Sequence, residues 1–186
     1  MPENAGDTEE YIVETLTAVV ERKNEEVLKL EKALKRYSNA ERIAQTEALI
    51  EYIRADVVSY QTVIADVTGD DSVLGGVDLD SVSQVECPGN YSKYLEGLTE
   101  EEFALENEAD RLRTEHCEAV LEDMYREIGA TALESKKMIR FMLEDPYSVS
   151  AVGELIFNDD YLYDGFKAMV QAKKDKKSKK KHKSED

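Results

Sequence analysis

Between Val13 and Val67 the apolar residues recur at alternating intervals of three and four, a spacing that only a helix gathers onto one side. The first run reads Val13, Leu16, Val20, Lys23, Val27, Leu30, Leu34 and Tyr37, and the second Ile43, Thr46, Ile50, Ile53, Val57, Tyr60, Ile64 and Val67. Both are heptad stripes of the coiled-coil kind. Between them stands "SNAE", in which Ser38 is placed to cap the second helix and Glu41 to return a bond to the cap. So short a link makes the two helices antiparallel neighbours, and residues 7–67 are predicted to form a helical hairpin.

Many seam positions are β-branched, which costs a helix up to roughly 0.7 kcal/mol each, whereas burying such a side chain returns roughly 1.5 to 3 kcal/mol. Packing decides the outcome. Ile12, Val19, Ala33, Leu49, Val58 and Val63 widen the apolar face beyond a two-helix seam, so the hairpin requires further helices against it. Lys23 interrupts the first stripe; its ammonium is expected either to reach past the stripe into water or to pair with an acid on a neighbouring helix. Were Lys23 to face an apolar core instead, leucine in its place would raise the melting temperature.

Those further helices are legible after residue 97. In "LTEEEF", Thr99 and Glu102 form a capping box with Leu98 and Phe103 as the hydrophobic staple across it. The helix is predicted to run to Gly129, with Leu105, Ala109, Leu112, His116, Val120, Met124 and Ile128 along one stripe. Thr131 and Glu134 repeat the capping pattern and open a shorter helix that Asp145-Pro146 must end. Two smaller helical pieces follow, over 149–157 and 161–172, the second with Leu162, Phe166 and Met169 on one face. Residues 68–97 lack helical period over thirty positions, long for a connection within a compact domain. They are expected to be an irregular excursion, and the alternation in Val77–Asp80 and Val82–Val85 permits a short strand or hairpin there. The expected architecture is all-α: a coiled-coil-like antiparallel hairpin packed with a third long helix and shorter C-terminal helices in one acidic bundle over 1–172.

Charge is divided unevenly along this chain. The last fourteen residues, "KKDKKSKKKHKSED", hold eight lysines against three acids, while residues 1–172 hold sixteen basic against 38 acidic residues, so a +5 tail follows a body of −22. No apolar residue occurs from Lys173 onward, and the like charges repel, so 173–186 is expected to be disordered. An acidic body repels nucleic acid and anionic membrane, whereas a solvated basic segment seeks polyanions. Lys173, Lys174, Lys176, Lys177, Lys179, Lys180, Lys181 and Lys183 are therefore the candidate polyanion-binding residues. The opening "MPENAGDTEE" has neither a basic start nor an apolar run, no stretch of eighteen apolar residues occurs, and two cysteines are too few for a disulfide framework. These features lead to the expectation of a soluble intracellular protein, cytoplasmic, or nuclear if the source is eukaryotic, with no membrane insertion. The sequon at Asn90 is then without consequence.

Catalytic signatures are sparse. The chain has only two histidines, and Arg113 stands three before His116, so the Glu-x-x-His of ferritin-like di-metal sites does not occur. Paired Cys-x-x-Cys zinc ligands are absent, Gly75-Gly76 has no phosphate-loop lysine after it, and the doublet Asp70-Asp71 and the Asp78-x-Asp80 pair lack the spacing of a calcium loop. His116, Cys117 and Cys87 could supply three ligands or a Cys-His nucleophile pair, but neighbours on a helix point about 100° apart, so packing is the better assignment for His116 and Cys117. No catalytic residue and no cofactor are expected.

The stretch "ENEADRLRTEHCEAVLEDMY", residues 106–125, resembles the helix of PhoU-type phosphate-uptake regulators, whose three-helix bundles carry Glu-x-x-x-Asp motifs that bind metal clusters. Glu106 and Asp110 match that spacing. The resemblance implies a metal-binding regulator, or a metal-dependent enzyme, using Glu106, Asp110, Glu118 and Glu122. The composition and stripes favour a different reading: a non-catalytic interaction or assembly protein, associating with a protein partner or itself through helical faces, whose tail tethers the acidic bundle to nucleic acid, ribosome or an acidic protein surface.

Overall fold

The computed structural model describes residues 8–82, 85–136 and 159–182; for residues 79–80, 159–163 and 179–182 the backbone alone is described. Helix α1 (Glu9–Leu34) and helix α2 (Ala40–Thr68) form the expected hairpin. Thr8 caps α1, its hydroxyl accepting from the Tyr11 N–H. At the turn the cap sits one residue later than the sequence suggested: Asn39 Oδ1, not Ser38, accepts from the Arg42 N–H at 2.9 Å, and Glu41 accepts from Gln45 instead. Asparagine is as good a cap as serine, and the stripe beginning at Ile43 is served by either start. Gly69, at φ 70°, ends α2 in the left-handed region by donating its N–H to the Ala65 carbonyl.

Both stripes are buried as their spacing requires. Leu16, Val20 and Val27 face Ile50, Ile53, Val57, Tyr60 and Ile64 inside the hairpin. From Tyr52 to Ala65, α2 is buried around almost its whole circumference, so it must be covered on its other sides as well.

That cover comes from two directions. After a 3₁₀ turn (Asp71–Leu74) and the single-turn helix α3 (Leu79–Val82), the short helix α4 (Tyr91–Glu96) lays Tyr91 edge-on to Tyr52, with ring centroids 4.6 Å apart. The described part of the excursion is thus built of helical turns, with no strand in it; buried Tyr91 and half-buried Tyr94 and Leu95 give it a packed side that its local sequence pattern does not display.

Helix α5 (Glu100–Glu127) begins at the expected capping box, with Thr99 and Glu102 exchanging bonds at 2.8 and 3.2 Å. Its first half packs Ala109 and Leu112 against Leu16, Val19, Tyr60 and Val63 of the hairpin. The second half carries a separate core, whose described members Cys117, Leu121, Met124, Tyr125 and Ile128 meet Phe166 and Val170 of helix α6 (Asp159–His182). Thr131 and Glu134 form the second capping box, and residues 132–136 are helical. The expected helix end at Asp145-Pro146 and the piece over 149–157 fall outside the described residues.

The lysine run departs from the expectation of disorder. Helix α6 continues through it to His182 instead of ending near Ala172. Lysine is a good helix former, the turns ahead of it are already fixed by Phe166 and Val170, and propagation adds one bond per residue once a helix is nucleated. The Gln171 amide also bridges to Asp175 at 3.0 Å, and the Ser178 hydroxyl returns to the Lys174 carbonyl.

Candidate functional site

Where α1, α2 and α5 meet, the core is charged. Lys23 is fully buried, and its Nζ lies 2.7 Å from Asp56 and 2.8 Å from Glu106. Of the two courses open to a lysine on an apolar stripe, it takes the ion pair. Arg113 donates to Asp56, to Ser59 Oγ at 2.7 Å and to Asp110 at 2.6 Å, and Arg22 pairs with Glu106. Three cations, Arg22, Lys23 and Arg113, thus face three carboxylates, Asp56, Glu106 and Asp110.

Four tyrosines enclose this junction. Arg113 lies over the Tyr60 ring at 4.3 Å, while the Lys23 ammonium lies 5.9 Å from the Tyr91 ring and 6.0 Å from that of Tyr94. Such contacts stabilise a desolvated cation by about 2 kcal/mol. The Tyr94 hydroxyl in turn accepts from Arg22 at 3.1 Å. Burial raises the Tyr52, Tyr60 and Tyr91 hydroxyls above the ordinary range, so they remain neutral donors. A cavity of about 190 Å³ opens beside the junction, lined by Tyr52, Tyr60, Tyr91, Phe103, Asp110 and Arg113 among others.

Titration of the junction is set by competing effects. Burial by itself would raise the Asp56 carboxyl, but Lys23 and Arg113 outweigh it and hold the group at about 2. Burial pulls the Lys23 ammonium down, Asp56 opposes that, and Arg22 and Arg113 reinforce it. These two shifts point in opposite senses for one ion pair. Geometry supports the ionised pair, because the ammonium has a carboxylate at hydrogen-bonding distance on either side.

The carboxylates matched to the PhoU-type motif are accordingly occupied: Glu106 by Lys23 and Arg22, Asp110 by Arg113. Glu118 and Glu122 lie exposed further along α5, Glu118 about 12 Å beyond Asp110, and do not join them. Among the described residues, no group of three or more His, Cys, Asp and Glu side chains gathers as a metal site. Cys87 lies beside Tyr52, while His116 Nε2 lies 2.9 Å from Asp66, about 21 Å along α2 from Tyr52. Cys117 is buried and its thiol is pushed up to about 11, chiefly by that burial, which leaves it a poor nucleophile.

The second candidate is the lysine run. Residues 171–178 are all exposed. Lys173 Nζ approaches Glu134 at 3.8 Å, and a side chain at Gly129 would start 3.5 Å from Lys174 Nζ, so this ammonium sits over the C-terminal end of α5. That end carries the negative pole of the helix dipole and suits a cation.

None of the described helices is long and apolar enough to cross a membrane. The chain matches no protein-family model, no curated protein and no solved structure.

Proposed function

We propose that the chain is a non-catalytic helical interaction or assembly protein, in which the lysine run tethers an acidic bundle to a polyanion. One observation carries the reading: the basic segment of a chain with net charge −17 is held out as an exposed helical extension, fixed to the bundle by Phe166 and Val170. A helix so presented meets a polyanion ahead of the acidic body, whose repulsion is screened over about 8 Å at physiological salt.

The ionic junction supports the same reading from the other side. Its cations are matched by its carboxylates, so it fixes the approach of α5 to the hairpin rather than leaving a charge over for a substrate. Buried ion pairs of this kind are best attested as devices of register.

Truncation after Ala172 tests the tether. The full chain is expected to bind heparin or nucleic acid at 50 mM salt and to lose that binding as salt rises, and the truncated body is expected to bind neither. Retention of full binding by the truncated body would end the proposal. Metal analysis of the purified protein tests the competing reading: stoichiometric iron, zinc or manganese surviving dialysis would favour the carboxylate site.

A further inference from the structure

Where α1 and α2 meet the excursion, an open groove of about 730 Å³ runs along the hairpin. Its floor is apolar, with Leu34 from α1, Ile50 and Val58 from α2, and Val77, Val82 and Val85 from the excursion. Val77 is exposed and Leu34, Val82 and Val85 are half-buried, so apolar surface is left facing water in a recess, the mark of an interaction site. Three carboxylates, Glu31, Glu47 and Glu51, stand on the rim against one cation, Arg54, which pairs with Glu31. Among the described residues no cation pairs with Glu47 or Glu51, which are exposed one turn apart on α2. Like charges at that spacing oppose each other and weaken the helix that carries them. Because the hairpin is antiparallel, Glu31 in the last turn of α1 lies at the same end as Glu47 and Glu51, and Val58 lies about 10 Å further along α2 than Glu51. The groove is therefore acidic at the end near the hairpin turn and apolar beyond it.

We propose that this groove docks a basic amphipathic helix of a partner protein, its apolar stripe on Leu34, Val58, Val77 and Val82 and its lysines or arginines toward Glu47 and Glu51. The inference rests on the reading of the chain as an interaction protein but not on its lysine run. From Glu47 to Gln61 the groove follows α2 for about 21 Å, the length of a helix of about 14 residues. Such a helix anchors through residues at intervals of three and four, which reach the floor together. Other occupants fit less well. Residues 173–186 of the chain itself are basic but carry no apolar side chain to fill the floor. A second copy seated groove to groove would set Glu47 and Glu51 against the same acids, a juxtaposition that opposes binding.

The test titrates the full chain with a fluorescent peptide of leucine and lysine, about 14 residues long, whose leucines recur at intervals of three and four, and with a scrambled peptide of the same composition. The patterned peptide should bind about tenfold more tightly or better, because burying even one further leucine is worth that factor. The double variant E47Q/E51Q should weaken the patterned peptide by about three- to tenfold and flatten its salt dependence, while the Tm of the free chain holds or rises as the like charges are removed. Val77→Lys, at an exposed floor position, should weaken it by about tenfold, since it removes an apolar contact and adds a repelling cation. Equal binding of the two peptides, or of the parent and both variants, would overturn the groove. Tighter binding of a leucine–glutamate peptide would overturn the basic partner, and a dimer that Val77→Lys abolishes would replace that partner with a second copy. Heparin binding, followed on E47Q/E51Q, should be retained because the lysine run is untouched. Loss of peptide binding with heparin binding intact removes this inference and leaves the tether; the reverse result removes the tether and leaves the groove.

Discussion

Lys23 and Lys176 carry the same ammonium group and are used in opposite ways. Lys23 is sealed among α1, α2 and α5 against two carboxylates and two aromatic rings; Lys176 stands in water on a helix that leaves the bundle. A buried charge loses its hydration, so its worth depends entirely on the partners built around it, and removing one partner leaves the other stranded. An exposed charge keeps its hydration and contributes little to folding, but it is available to whatever polyanion arrives. The same chemistry therefore organises the bundle at one place and is offered to a partner at the other.

The largest expected effect comes from breaking the buried side of this contrast. Lys23→Leu leaves three buried or half-buried carboxylates against two cations, Asp56 keeping Arg113 and Glu106 keeping Arg22, and should cost about 3 to 5 kcal/mol, roughly 6 to 20 °C in Tm, measured by thermal and urea unfolding. This reverses what an apolar environment at Lys23 would have given. Replacing Lys23, Asp56 and Arg113 together by leucine should cost clearly less than the three single losses added, because the stranded groups go too. Simple additivity would show that the three do not act as one junction.

Ile53→Asp sharpens the comparison by placing an acid three positions from Asp56 with no cation supplied for it. Ile53 is fully buried, so the loss should be on the order of 3 kcal/mol. A variant melting like the parent would misplace the hairpin seam.

Acid should act on the junction through Asp56. Asp56 has its carboxyl depressed from 3.8 to about 2 in the folded chain. A depressed carboxylate adds stability that is fully present above the unfolded value and is lost as pH falls through the folded one, here from about 4 to about 2. The contribution is on the order of 2 kcal/mol. Urea midpoints should fall across that window, and Asp56→Asn should flatten this part of the profile while lowering stability at neutral pH. An unchanged profile in Asp56→Asn would remove Asp56 as its source.

Smaller effects are expected at His116, a half-exposed residue whose partner Asp66 is more exposed still. His116→Gln should cost less than about 1 kcal/mol, and a strong chelator should leave helicity and Tm unchanged. A fall of many degrees on chelation would point to a structural metal.

What the sequence made legible follows from how local each signal is. The stripes from Val13 to Val67 and the capping box at Thr99 are written within a few turns, and both formed as read. Tyr91 and Tyr94 were missed because a six-residue helix is too short to show a period and is buried only by what Tyr52 supplies. The partners of Lys23 were beyond local pattern, since Asp56 and Glu106 meet it only after α5 crosses the hairpin. A signal was nonetheless present: Asp56 stands in "ADVVSY", inside a stretch of α2 apolar around most of its circumference, where an acid has no solvent face to occupy. The helical course of the lysine run depends on the helix preceding it, whereas composition by itself points to disorder.

The smallest expected effect on folding lies at that run, and its smallness is what the comparison requires. Ending the chain after Ala172 removes, among the described side chains, the exposed residues 173–178 with the 3.8 Å pair between Lys173 and Glu134 and the Lys174 ammonium over Gly129. Phe166 and Val170, which dock α6 through Tyr125 and its neighbours, both remain. Exposed pairs contribute little, and surface changes away from caps and cores are close to neutral, so Tm should move by no more than about 2 °C while polyanion binding disappears. If the truncation instead melted as early as Lys23→Leu, the lysine helix would be part of the folded core, and the division between organising and offered charge would fail.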